Sequence, residues 1–173
     1  LTAAHTDQDH VQALIYSNSK IPNRVDAILA NEVQGVANHL RKSAKILSDG
    51  GADFIIVACN TAHFWLDDVR EAVDVPVLDM IGETFEFLSR QEEPVKKVGL
   101  ICSPGTAAAD VYRKKGMDIG IDVLYPTPPL LEIASDFIDR LKVGNPTQSC
   151  IDASGKLIDW FREQKVQKVI LGC

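Results

Sequence analysis

Apolar and polar positions along this chain alternate between strand-like runs and helix-like stretches. The clearest run is Asp53-Phe54-Ile55-Ile56-Val57-Ala58-Cys59, polar at its start and then unbroken apolar. It predicts a strand buried on both faces, as in parallel sheets with helices above and below. Asn60 and Thr61 follow, residue types that cap helices, and the amphipathic stretch Ala62 to Val73 predicts the helix they cap. Cys59 is therefore expected at a strand-to-helix junction, where open α/β sheets bind ligands. Before it, residues 11–16 (Val-Gln-Ala-Leu-Ile-Tyr) are a strand candidate and Ser17 to Arg24 a loop broken by Pro22. Val33, Val36, Ala37, Leu40, Ala44 and Leu47 mark a helix from Glu32 to Ser48, ended by Asp49-Gly50-Gly51; His39 lies within it as a structural or exposed residue. After it come a short strand, Val75-Pro76-Val77-Leu78, in which Pro76 argues for an edge or strand-start position, a helix from Asp79 to Arg90 and a linker, Gln91-Glu92-Glu93-Pro94. A second series begins with a strand ending at Cys102, the turn Ser103-Pro104-Gly105-Thr106 and a helix from Ala107 to Lys115. Strand 123–125, helices 130–143 and 148–164, and strand 166–173 complete it. The turn at Ser103 is either a plain connection or a set of N–H groups able to meet an anion.

The last strand repeats the arrangement around Cys59. Leu47 to Cys59 aligns without a gap over Phe161 to Cys173, each reading helix end, polar turn, apolar strand, cysteine. Cys59 and Cys173 are therefore the central candidates. Alternating strands and helices imply an α/β fold of two similar lobes, each a parallel sheet flanked by helices, with an active site in the cleft between them. The expected lobes are residues 1–92 and 93–173. The absence of an initiator Met and the stop on a strand-ending cysteine lead us to expect part of a longer polypeptide.

Composition narrows the chemistry. A chain of 173 residues that is 46% hydrophobic can bury a substantial core. A net charge of -6, with no basic cluster larger than Arg113-Lys114-Lys115, argues against nucleic acid as partner. No apolar run approaches the roughly 18 residues of a membrane span, and no signal peptide is evident, so a cytoplasmic protein acting on a small molecule is expected. Cysteines 59, 102, 150 and 173 lack C-x-x-C spacing, which argues against a metal site, and Cys102 and Cys150 read as inert core thiols.

Cys59-Asn60-Thr61-Ala62-His63 resembles the cofactor-independent aspartate/glutamate racemase superfamily, in its branch of aspartate and broad-specificity amino-acid racemases. Ile15-Tyr16-Ser17-Asn18 with Ile21-Pro22-Asn23-Arg24 is similar to that branch's tyrosine-asparagine and isoleucine-proline-x-arginine loop. Pro104-Gly105-Thr106 is similar to its glycine-threonine turn, and Leu171-Gly172-Cys173 to the start of its glycine-cysteine-threonine-glutamate motif. Three departures stand out. Members usually begin with an additional strand and a glycine-rich loop, they continue past the second cysteine, and asparagine is commoner where Ser17 stands.

The resemblance implies an isomerase without a cofactor, a homodimer, and an amino-acid substrate. Inverting an α-carbon needs a base on one face and an acid on the other, roles that Cys59 and Cys173 would exchange between enantiomers. One thiol must then be a thiolate, which the positive end of the helix after Asn60 would favour. No pyridoxal-binding lysine motif is present to delocalise the carbanion. Asn60 and Thr61 are candidates to hold the α-carboxylate or ammonium. The resemblance adds Asn18 and Thr106 as substrate contacts, and Arg24 and Lys142 as contacts for an acidic side chain. An arginine in a loop is otherwise most often a solvated charge. His63, one turn beyond Cys59, is a candidate for tuning the thiol or a packing residue. Competing readings are a maleate-type isomerase or hydantoin racemase, a non-catalytic dicarboxylate-binding module, and a single-cysteine hydrolase.

Overall fold

The computed structural model describes residues 3–172, so Cys173 lies outside the described residues. Asn23 starts α1 (Arg24–Leu29) by accepting the Val25 N–H on its side chain at 2.9 Å. Next, α2 (Gln34–Asp49) buries Val36, Ala37, Leu40 and Ala44, the stripe that its apolar period marks. The chain then forms β1 (Ile55–Ile56), a 3-10 turn (Thr61–Trp65), α3 (Leu66–Arg70) and β2 (Val77–Leu78). Asp79 caps α4 (Met80–Ser89) by accepting from Gly82 N–H at 2.9 Å. The second series comprises β3 (Lys97–Ile101), α5 (Pro104–Ala109), α6 (Val111–Asp118), β4 (Asp122–Leu124), α7 (Pro128–Lys142), α8 (Gln148–Glu163) and β5 (Lys168–Leu171).

Among the described residues there are two sheets, both parallel: β1 beside β2, and β3 between β4 and β5. The α/β class with helices flanking parallel sheets is the expected one. Each sheet has its own core. Ala27 through Val77 form one apolar cluster around Val36, Trp65 and Val69. Ile81, Phe85 and Leu88 of α4 pack into the other, with Val98, Leu100, Tyr112 and Val123. The core therefore changes between Val77 and Ile81, ahead of the linker at 91–94. The halves also interlock, because α1 lies against α5: a Cβ built on Gly105 would stand 2.7 Å from the Val25 Cα.

Several local expectations are corrected. Residues 11–16 pair with no strand and stand exposed, with Ile15 84% accessible. The run at 53–59 is a strand only at Ile55–Ile56, and it is buried on one face alone, Ile55 at 4% against Ile56 at 57%. The helix over 62–73 is instead the 3-10 turn followed by short α3, which leaves little aligned dipole behind Asn60. The helix over 107–115 is two, α5 and α6, broken at Asp110 in a left-handed conformation (φ 55°). Arg24 opens a helix where a loop was expected.

Candidate active site

Three elements deliver the candidate residues: the loop into α1, the segment from β1 through the 3-10 turn, and the start of α5. Cys59 is half-buried where β1 gives way to the turn. It lines a cavity of about 840 Å³ together with Asn18 and Arg24. Asn18 is held in place twice, its Nδ2 donating to Ser43 Oγ at 3.0 Å and its Oδ1 accepting from Lys20 N–H at 3.0 Å. The Arg24 guanidinium donates to the Pro22 carbonyl at 3.2 Å. No carboxylate pairs with it among the described residues, so its charge is available to a ligand.

Asn60 does not cap the turn that follows it. Its Oδ1 instead accepts a hydrogen bond from the phenol of Tyr112, a residue of α6 that is 1% exposed. That bond fixes which way the amide faces, because with Oδ1 occupied the Nδ2 donors point elsewhere. Sequence reading missed Tyr112, since one aromatic in an amphipathic helix reads as core, and this one is also core.

Thr61 is buried and joins a ring of hydroxyls across the two halves. Its Oγ1 lies 2.8 Å from Thr106 Oγ1 and 3.3 Å from Ser103 Oγ, and Ser103 and Thr106 are 3.1 Å apart. Each hydroxyl can give one proton and accept one, so the ring satisfies three buried donors without water. Ser103 also caps α5 by accepting the Thr106 N–H at 3.3 Å. An N-terminal signal was readable in the Ser-Pro-Gly-Thr spacing, but the role of Ser103 beside Thr61 was not, since 42 residues separate them.

His63 is buried, with Nδ1 2.9 Å from the Cys59 carbonyl and Nε2 accepting the Met80 N–H at 3.2 Å. A nitrogen that accepts carries no proton, so in this arrangement Nδ1 is the one that donates, to Cys59 O. His63 braces the Cys59 backbone against the start of α4. Lys142 sits apart, exposed at the end of α7 and paired with Asp139 at 3.3 Å. Cys102 and Cys150 are buried. Gly172 donates its N–H to Ile101 O at 2.8 Å, which carries β5 along β3 up to the last described residue. Among the described residues no three His, Cys, Asp or Glu side chains group closely enough to hold a metal ion. No helix among them is long and apolar enough to cross a membrane.

The site thus draws together Asn18, Arg24 and Cys59 on one cavity, and ties Asn60, Thr61 and Thr106 into contacts between the halves. Comparison with known proteins agrees on kind. A family model described as Asp/Glu/Hydantoin racemase matches residues 1–173. The solved structure of Picrophilus torridus aspartate racemase is similar with a TM-score of 0.84 and 30% identity, over 99% of this chain and 70% of that one. Glutamate racemase of Aquifex pyrophilus is 30% identical over 134 residues, 75% of this chain and 49% of the relative. The broad-specificity amino-acid racemase RacX of Bacillus subtilis (strain 168) is 28% identical over 125 residues, 72% of this chain and 52% of the relative. The chain spans about half the length of these curated relatives. It belongs to the Asp/Glu/Hydantoin racemase family.

Proposed function

We propose that these residues serve an amino-acid racemase that needs no pyridoxal phosphate and acts on aspartate, glutamate or both. Cys59 and Cys173 are its proton carriers. One, as thiolate, takes the α-proton from one face, and the other, as thiol, gives a proton to the opposite face. Each leaves the cycle in the state its partner began in. Asn60 and Thr61 hold the α-carboxylate or ammonium, and Asn18 and Thr106 are further substrate contacts. Arg24 pairs with the side-chain carboxylate, for which a planar guanidinium is well shaped. Lys142 is a second candidate for that charge. The same reading carries a cytoplasmic homodimer working on a free amino acid without a metal. The observation that supports it most is the convergence of Cys59, Asn18 and an unpaired Arg24 on one cavity.

The test is solvent-deuterium incorporation at the α-carbon of aspartate, glutamate and a neutral amino acid, using the longest available form of the protein. Racemisation should be almost completely lost with either Cys59→Ala or Cys173→Ala. Arg24→Ala should cost about 2–4 kcal/mol in kcat/KM for the acidic substrates and less for the neutral one. Binding of a dicarboxylate without exchange would instead make this a binding module. Activity that survives loss of Cys173 would leave a single-cysteine reaction, and turnover of a hydantoin or maleate in place of amino acids would change the substrate class.

A further inference from the structure

Ser43 interrupts the apolar side of α2, one turn after Leu40 and one turn before Leu47, and all three line the same cavity as Cys59. The serine does little for α2 itself, since alanine is the better helix former at an interior position. Its hydroxyl donates to the His39 carbonyl, one turn back, at 2.8 Å. A carbonyl can only accept, so the single hydroxyl proton is committed there and the oxygen is left as an acceptor. It accepts from Asn18 Nδ2 at 3.0 Å. At the other end of that amide, Oδ1 accepts from the Lys20 N–H at 3.0 Å, and a backbone N–H can only donate. The two one-way partners agree, so the Asn18 amide has a single orientation. One N–H and one Oδ1 lone pair remain without a partner among the described residues, on a side chain that lines the Cys59 cavity.

The same bond governs the loop that leads to Arg24. Among the described residues, every other hydrogen bond of residues 17–23 stays local. Lys20 and Ile21 donate to Asn18, Val25 and Ala27 donate to Asn23, and the Arg24 guanidinium donates to Pro22 O. Ile21 adds an apolar contact with the first core. The Asn18–Ser43 bond is therefore the one hydrogen bond, among the described residues, that fastens this loop to another part of the fold. Because Pro22 lies in the loop, the carbonyl that steadies the Arg24 guanidinium moves with it. We infer that Ser43 is a positioning residue of the candidate site. Through Asn18 it sets the loop, and through the Pro22 carbonyl the Arg24 guanidinium, so that recognition of an acidic amino acid depends on a hydroxyl that does not itself touch the substrate. The recognition part of this inference rests on the racemase reading above; the positioning part does not.

Two measurements on the unmodified protein, Ser43→Ala and Ser43→Thr test it. Threonine keeps a hydroxyl able to bond the carbonyl one turn back. In substrate-free protein, backbone order parameters of residues 17–23 should fall from about 0.85 to below about 0.6 in Ser43→Ala and stay high in Ser43→Thr. The melting temperature of Ser43→Ala should not fall, because the substitution suits α2. In racemisation assays, Ser43→Ala should raise KM for aspartate or glutamate about three- to tenfold with kcat nearly unchanged, the mark of lost uniform binding. A neutral amino acid should be affected less, Ser43→Thr should restore the value, and Ser43→Ala should add nothing in an Asn18→Ala background. The inference is overturned by an unchanged loop in Ser43→Ala, by additive effects of Ser43→Ala and Asn18→Ala, or by a Ser43→Thr that behaves like Ser43→Ala. A loss in kcat, or one equal for acidic and neutral substrates, also overturns it. If the unmodified protein racemises no amino acid, the racemase reading fails instead, and the order parameters decide by themselves whether Ser43 holds the loop.

Discussion

Asn60 and Asp79 are each held by a partner from α6, and each makes a measurable claim. The Tyr112 phenol orients the Asn60 amide while its ring packs against Phe85, with centroids 6.1 Å apart. Tyr112→Phe keeps the ring and removes the donor, so urea unfolding should show a loss of about 1 kcal/mol. A loss above about 3 kcal/mol would mean that the ring itself had moved. Asp79 lies at the start of α4. Burial pushes its carboxyl up, but the Gly82 N–H and the Lys115 ammonium, 3.3 Å away, outweigh burial and hold it below the ordinary carboxylate value. A carboxyl that titrates lower when folded stabilises fully above its unfolded pKa, and that stability is lost as pH falls through the folded value. Melting temperature should therefore drop as pH falls below about 4. In Asp79→Asn the drop should be shallower, and identical slopes would exclude this carboxyl as a contributor.

Two helices meet backbone to backbone where Gly105 of α5 faces Val25 of α1. A Cβ there meets a Cα, which no rotamer change can relieve, so Gly105→Ala should cost about 1–3 kcal/mol and move α1 with its Arg24. Denaturation midpoints measure the first effect, and chemical shifts around residues 24–29 the second. The helices with a strong apolar period, α2, α4, α7 and α8, were legible in the sequence to within about two residues. Their signal is local, because each face is written every three or four positions. The strand at 11–16 was legible as composition and still did not form, since a strand needs a ladder partner that no local pattern supplies. The same limit hid Tyr112 and Ser103, whose roles depend on residues 52 and 42 positions away. The position of Cys59 just after β1 was legible because its motif is contiguous, and so was the α/β class.

On the scale of the whole molecule, the hydroxyl ring, the Tyr112–Asn60 bond and the Gly105 contact all cross between the halves. The halves should therefore unfold together. Each carries one tryptophan, Trp65 in the first core and Trp160 on α8. In each single-tryptophan variant, Trp65→Phe or Trp160→Phe, the fluorescence transition in denaturant should superimpose on that variant's far-UV circular-dichroism transition. Two separated midpoints would show the contacts between the halves to be too weak to couple them.

The polypeptide passes from one core to the other within Leu78-Asp79-Met80, and three unlike grips converge on that short crossing: the His63 ring on the Met80 amide, Lys115 on the Asp79 carboxyl, and that carboxyl on Gly82. A ligand that wedged the halves apart would lever against this pivot first. Because the same imidazole also holds the Cys59 carbonyl, motion of one half over the other would be transmitted through a single five-membered ring to the backbone of the candidate proton carrier.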